Sequence, residues 1–260
     1  MRARRVFAIL LTGCLLASCW GCGGGGEMGL SEYLKAVSEL HDGVAWDLGV
    51  LLGEMGALDI RDYYDLPALR DLFREAAEVF DAAWREADAM YPPPEAIPLH
   101  LDLLDFYAEG VGEMSDAENT IGFFEAALPM LADVENLALP NLAADAGVPE
   151  IKAAAMEDSK TMSGYHHELS GMEPPERQRE FRERLMTYLH SIDDAAAAVD
   201  REIKPEDPGP YQRFREWFAG AVTETSALSA DALASLGELN GTIDCFIAEG
   251  KALAERIQKF

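Results

Sequence analysis

From Leu30 onward the apolar residues of this chain recur at three- and four-residue steps, the spacing of a helix that buries one face. Leu34, Val37, Val44, Leu48, Leu51 and Met55 form the first stripe, with Ser31 placed to cap it. Gly49, Gly53 and Gly56 lie on or beside that stripe. They predict a neighbouring helix at close range, since each costs a helix about 1 kcal/mol relative to Ala. Asp65-Leu66-Pro67 opens a second helix, with proline in the first turn, where its missing N–H is no loss. Its apolar face runs through Leu69, Leu72, Phe73, Val79, Phe80, Ala83, Trp84 and Met90 to a stop at Pro92-Pro93-Pro94.

The pattern continues in the same way. A third helix is predicted from around Glu95 through Leu101, Leu104 and Tyr107 to Val111. A fourth runs from about Asp116 to Leu137, bent at Pro129. Residues 139–148 read as a loop. Pro149 opens a fifth helix through Ile151, Met162, Tyr165 and Leu169 to Met172, closed by Pro174-Pro175, and a sixth spans Glu176 to about Ile203. Pro205, Pro208, Gly209 and Pro210 break the chain. Tyr211 to Phe260 supplies one or two more helices, through Phe214, Trp217, Phe218, Leu233, Leu236, Phe246, Leu253 and Ile257. No window alternates β-branched and polar residues as a strand would. The expectation is an all-α antiparallel bundle of about seven or eight helices over residues 30–260.

The pattern also matches itself. At an offset of 82 residues Pro67 falls on Pro149, Glu86 on Glu168, Met90 on Met172, Pro92-Pro93 on Pro174-Pro175, Leu103 on Leu185 and Ile121 on Ile203. One constant offset without gaps predicts a duplicated unit of helix, Pro-Pro corner and helix, over about 66–147 and 148–229. The corner has a local cause: a residue before proline is pushed out of helical dihedrals.

The first 29 residues follow a different rule. Arg2, Arg4 and Arg5 precede an apolar run from Val6 to Leu16, then Leu16-Ala17-Ser18-Cys19, then a glycine-rich stretch to Gly29. A basic start, a short apolar core and small residues before a cut site make a secretory signal. The core is too short to span a bilayer, which takes about 20 residues. Leu16-Ala17-Ser18-Cys19 resembles the lipobox of bacterial lipoproteins at every position. That resemblance implies a signal peptide over 1–18, cleavage before Cys19 and a lipid on the Cys19 sulfur. Leu11-Thr12-Gly13-Cys14 also fits, but cleavage there leaves an apolar core of about six residues, below the usual 7–15. An ordinary cleaved signal that happens to contain cysteines remains the alternative. Arg4-Arg5-Val6-Phe7 resembles part of a twin-arginine export signal, without the usual Ser or Thr before the arginines. Residues 19–29 read as a flexible tether. The body looks like acidic helical lipoproteins that have no assigned role.

Composition narrows the function. The chain carries 21 Lys+Arg against 47 Asp+Glu, a formal charge of −26 that becomes −29 once the three leader arginines are removed. Such a surface is repelled by nucleic acid and by anionic head groups, so nucleic acid is not an expected partner. Beyond the lipidated cysteine only Cys22 and Cys245 remain, and Cys245, on an apolar helical face, is expected as a buried free thiol.

Candidate chemistry is sparse. None of the five histidines follows a Glu by three residues, so the di-metal bundle signature is absent, as is His-Glu-x-x-His. His166 and His167, and His190 with Asp193 and Asp194, are the weak metal candidates. Asp102, Asp105, Glu109, Glu113 and Asp116 step along one side of a helix and read as a solvated face. Gly-x-Ser-x-Gly and phosphate-loop motifs are absent, and no cofactor is called for. Trp46, Trp84 and Trp217 are expected in the core. Tyr63-Tyr64, in an acidic loop, is the aromatic pair expected at a contact surface. The functional expectation is an extracytoplasmic, lipid-anchored, non-catalytic binding or scaffold module. It would be held to a membrane through Cys19 and pair with another envelope protein. The alternative is a metal- or small-ligand-binding bundle serving a transporter or sensor.

Overall fold

Two proline corners organise the bundle. The computed structural model describes residues 28–58, 63–143 and 145–260. The predicted signal peptide, Cys19, Cys22 and most of the predicted tether lie outside the described residues. Six long helices follow: α1 (Leu30–Met55), α2 (Leu66–Asp88), α3 (Ile97–Glu135), α4 (Val148–Gly171), α5 (Arg179–Glu202) and α6 (Gly209–Lys259). At each corner, Pro92-Pro93-Pro94 and Pro174-Pro175, the chain passes through one 3₁₀ turn, Pro94–Ala96 or Glu176–Gln178, before the next helix starts. α2 therefore folds back on α3, and α4 on α5, as two antiparallel hairpins.

The fold is the predicted all-α bundle, with no strand among the described residues. It has six helices instead of seven or eight. The predicted third and fourth helices are one, α3, because Met114 and Ala117 carry the buried stripe across the polar stretch between them. Pro129 removes one backbone hydrogen bond inside α3, yet buried Ala127, Met130 and Leu131 on either side hold the helix on its neighbours. The last stretch is also one helix, and residues 138–141 form a helical turn instead of loop. That turn is capped from elsewhere. The backbone N–H groups of Ala138 and Leu139 donate to the buried Asp158 carboxylate of α4, at 2.9 and 2.7 Å.

α3 and α6 are the long members, about 58 and 77 Å at 1.5 Å per residue. They run antiparallel along each other. Asp102 ion-pairs with Arg256, Phe106 packs on Phe246, and past the end of α3 the Leu142 carbonyl accepts from the Tyr211 hydroxyl. α1 and α2 pack at one end of this pair and α4 and α5 at the other. At that second end the Phe181 ring of α5 meets Phe123 and Phe124 of α3, and Tyr188 of α5 bonds the Ala221 carbonyl and the Thr225 hydroxyl of α6. Arg184 of α5 also bridges Asp231 and Glu224 of α6.

The two hairpins share a register. Leu66 and Val148, Pro94 and Glu176, and Ile97 and Arg179 begin matching elements, each pair 82 residues apart. Buried residues coincide at the same spacing: Leu69 with Ile151, Phe80 with Met162, Ala87 with Leu169, Leu103 with Leu185, Ile121 with Ile203.

Glycine's role differs from the expectation. Among the described residues no atom lies within 4 Å of where a Cβ on Gly49 or Gly53 would stand, so no described neighbour exploits these two. The close approach is at Gly110 of α3, where a Cβ would sit 2.5 Å from the Phe80 ring of α2. Gly110→Ala is expected to destabilise the body by about 1–3 kcal/mol through overpacking. Gly53→Ala is expected to stabilise it by about 0.4–1 kcal/mol. Urea unfolding of both variants checks the pair, and a Phe80→Leu background should relieve the Gly110→Ala penalty.

Candidate functional site

The interior holds more polar chemistry than its hydrophobic pattern implies. On α1, Tyr33 and His41 stand two turns apart on the buried stripe. On α3, His100 and Tyr107 do the same. The helices pair them crosswise. The Tyr33 hydroxyl shares a hydrogen bond with His100 Nδ1 at 3.0 Å. His41 donates through Nε2 to the Gly250 carbonyl of α6 at 2.9 Å, which leaves Nδ1 to accept from the Tyr107 hydroxyl at 3.4 Å. Phe106 packs on His41 and Tyr107, Phe80 packs on Tyr107, and Phe246 packs on both phenylalanines. Burial pushes the Tyr33 phenol up to about 12. It pushes Tyr107 higher still, with the Glu86 carboxylate adding to the effect. Burial lowers His100 from its ordinary value, against the pull of Asp88. Both phenols are therefore neutral, and each is spent on a histidine.

The surface candidates are only partly gathered. The His166 and His190 rings lie 5.7 Å apart between centroids, and His190 Nε2 is 3.5 Å from the Asp194 carboxylate. Asp193 instead accepts from the Ser159 hydroxyl at 2.5 Å, and His167 is exposed beyond the pair. Among the described residues no group of three or more His, Cys, Asp or Glu side chains is placed to hold a metal ion. Along the acidic stripe, Asp105, Glu109 and Asp116 are exposed, while Asp102 is tied to Arg256. Tyr63 donates to the Tyr64 hydroxyl at 2.9 Å with the rings 4.3 Å apart; Tyr63 packs on the core and Tyr64 is exposed.

Three expectations are corrected. Cys245 is exposed, and its thiol donates to Glu249; burial of neighbouring α6 positions falls on Leu236 and Leu253 instead. Trp46 is 75% exposed and Trp217 40%, and only Trp84 is packed against the core. The stripes that face the long helices are filled by Val37, Val44 and Leu51 on α1, and by Phe214 and Phe218 on α6, so each Trp is turned outward.

A cleft of about 830 Å³ opens where the Pro174-Pro175 corner meets the middles of α3 and α6. Glu113, Asp116, Glu173 and Glu176 line it against a single cation, Arg177, over apolar Phe123, Met172 and Leu239. Buried Gln178 also lines it, and its side-chain carbonyl has no donor among the described residues. Sequence reading missed both the cleft and the histidine–tyrosine pairs. The seven- and eight-residue spacings of Tyr33/His41 and His100/Tyr107 were the available signal for the pairs.

His100 gives the body a pH response. Its folded-state pKa lies below its ordinary 6.5. The stabilisation is therefore complete above that value and is lost as pH falls through it, when the buried ring takes up a proton. The melting temperature is expected to fall between about pH 7.5 and about pH 5. His100→Gln, which keeps a neutral hydrogen-bond partner, should flatten that part of the profile in thermal melts. No family model matches the chain, and no curated protein or solved structure is significantly similar to it.

Proposed function

We propose that the chain is a lipid-anchored, extracytoplasmic binding or scaffold module with no catalytic role of its own. The observation that carries this reading is how the side chains are spent. The buried phenols, histidines and Asp158 are bonded to one another or to backbone, whereas the largest apolar side chain of α1, Trp46, faces solvent. Among the described residues no helix is long and apolar enough to cross a membrane. The anchor is Cys19, with two or three acyl chains adding about 0.8 kcal/mol per buried CH₂. The shared register of the hairpins supports duplication of one helix–corner–helix unit as the origin of the body.

A second reading rests on the cleft. Four carboxylates against one guanidinium, with an unpartnered amide carbonyl beside them, favour a small organic cation that brings its own N–H donors. This is the ligand-binding alternative, with an amine in place of a metal ion.

Cys19→Ala is expected to move the protein from the membrane fraction to the soluble fraction and to remove the acyl mass from its amino-terminal peptide. A Cys19→Ala protein that stays membrane-bound would overturn the anchor, and turnover of a substrate by the soluble body would overturn the non-catalytic role. For the second reading, spermidine is the probe. It should raise the melting temperature of the wild type and leave a Glu173→Gln/Glu176→Gln variant unmoved. An equal rise in both would remove the cleft as its site.

A further inference from the structure

We propose that the outward face of α1 is the docking surface of this module, and that its partner presents one basic amphipathic helix. The proposal rests on the binding-module reading and gives it a location. Trp46 is 75% exposed and Val50 48%. They stand one turn apart, and Gly43 and Gly53 extend the same stripe by three residues on either side, so the four form one face about 15 Å long at 1.5 Å per residue. An exposed tryptophan of this kind is the side chain most enriched at the centres of protein interfaces.

The glycines sharpen the case. Among the described residues a Cβ on Gly43, Gly49 or Gly53 would meet nothing within 4 Å, so no packing seen there requires them. Each nevertheless costs α1 about 1 kcal/mol relative to Ala. On the outer surface they leave a notch on both sides of the indole. The ridge of a crossing helix fits such a notch, because helices pack by setting ridges into grooves.

Charge selects the occupant. Glu39, Asp42, Asp47 and Glu54 are exposed around the stripe. The only lysine of α1, Lys35, is held by Glu39 at 3.7 Å. The surface is thus an apolar centre in an acidic rim, and its complement is an apolar stripe with Lys and Arg on its flanks. A second copy of this chain would bring the same acids, on a chain of formal charge −26. An anionic bilayer would repel the rim, and helices that lie on such bilayers carry Lys and Arg on their polar face.

The test uses the full lipidated protein in intact cells. A photo-crosslinking residue replaces Val50, which leaves Trp46 in place. A second version carries it at Met156, an exposed apolar position on α4. The expected result is a protein adduct from position 50 only. Peptide mapping should place it on a segment with apolar residues three and four apart, flanked by Lys or Arg. Trp46→Ala should cut the yield about tenfold or more. Asp47→Lys/Glu54→Lys should do the same, with unchanged melting temperature and circular dichroism. An adduct to lipid, to a second copy or to an acidic segment, or insensitivity to both variants, would overturn the proposal. Adducts from position 156 alone would overturn this surface and leave the binding-module reading standing. No protein adduct from either position would overturn both.

Discussion

The seam between α3 and α6 is the contact on which the rest of the bundle depends. Among the described elements these two are the longest. The contacts from Asp102 with Arg256 to Leu142 with Tyr211 keep the two helices in one antiparallel register. α1 and α2 complete a four-helix layer with the first half of α3 and the last half of α6. α4 and α5 complete a second layer with the remaining halves. α2 and α5 pack directly on the long pair, while α1 packs on α2 and α6, and α4 on α5 and the turn at 138–141. A hairpin alone would leave half its apolar face in water, and isolated helices of this length are marginal.

The two layers solve the polar interior differently. In the layer of α1 and α2, histidine–tyrosine pairs cross the core from α1 to α3, and His41 reaches on to α6. In the layer of α4 and α5, one hydroxyl pair, Tyr188 with Thr225, joins α5 to α6, and Asp158 caps the turn after α3. A buried polar group left without a partner costs about 1–3 kcal/mol, so these bonds hold the register of the layers as well as their stability. Gln178 departs from that rule, and it lies where the layers meet at the proline corner.

Function therefore has to be sought at the surface and at the junction. The buried phenols, histidines and Asp158 are bonded within the fold. The body turns one tryptophan of α1 outward, and it opens an acidic cleft at the corner between layers. Under the proposed reading both features serve recognition. They favour partners of the same sign, a basic helix at one and an organic cation at the other, because carboxylates surround each.

The sequence by itself determined the helical class, the two proline corners and the 82-residue register, because these rest on local dihedral limits and on a period that any single helix obeys. Only the tertiary structure decided what each stripe meets. Val111 to Asp116 reads as a break and Pro129 as a bend, yet packing on both sides carries α3 through them as one helix. Trp46 and Cys245 sit at helical spacing among apolar neighbours and still face out, since a helix of six-helix company buries only the sector its neighbours cover. Gly53 and Gly110 are the same residue in sequence, and one faces open space while the other faces Phe80. The crosswise pairing of Tyr33 with His100 and His41 with Tyr107 joins residues more than sixty positions apart, and no local pattern contains that distance.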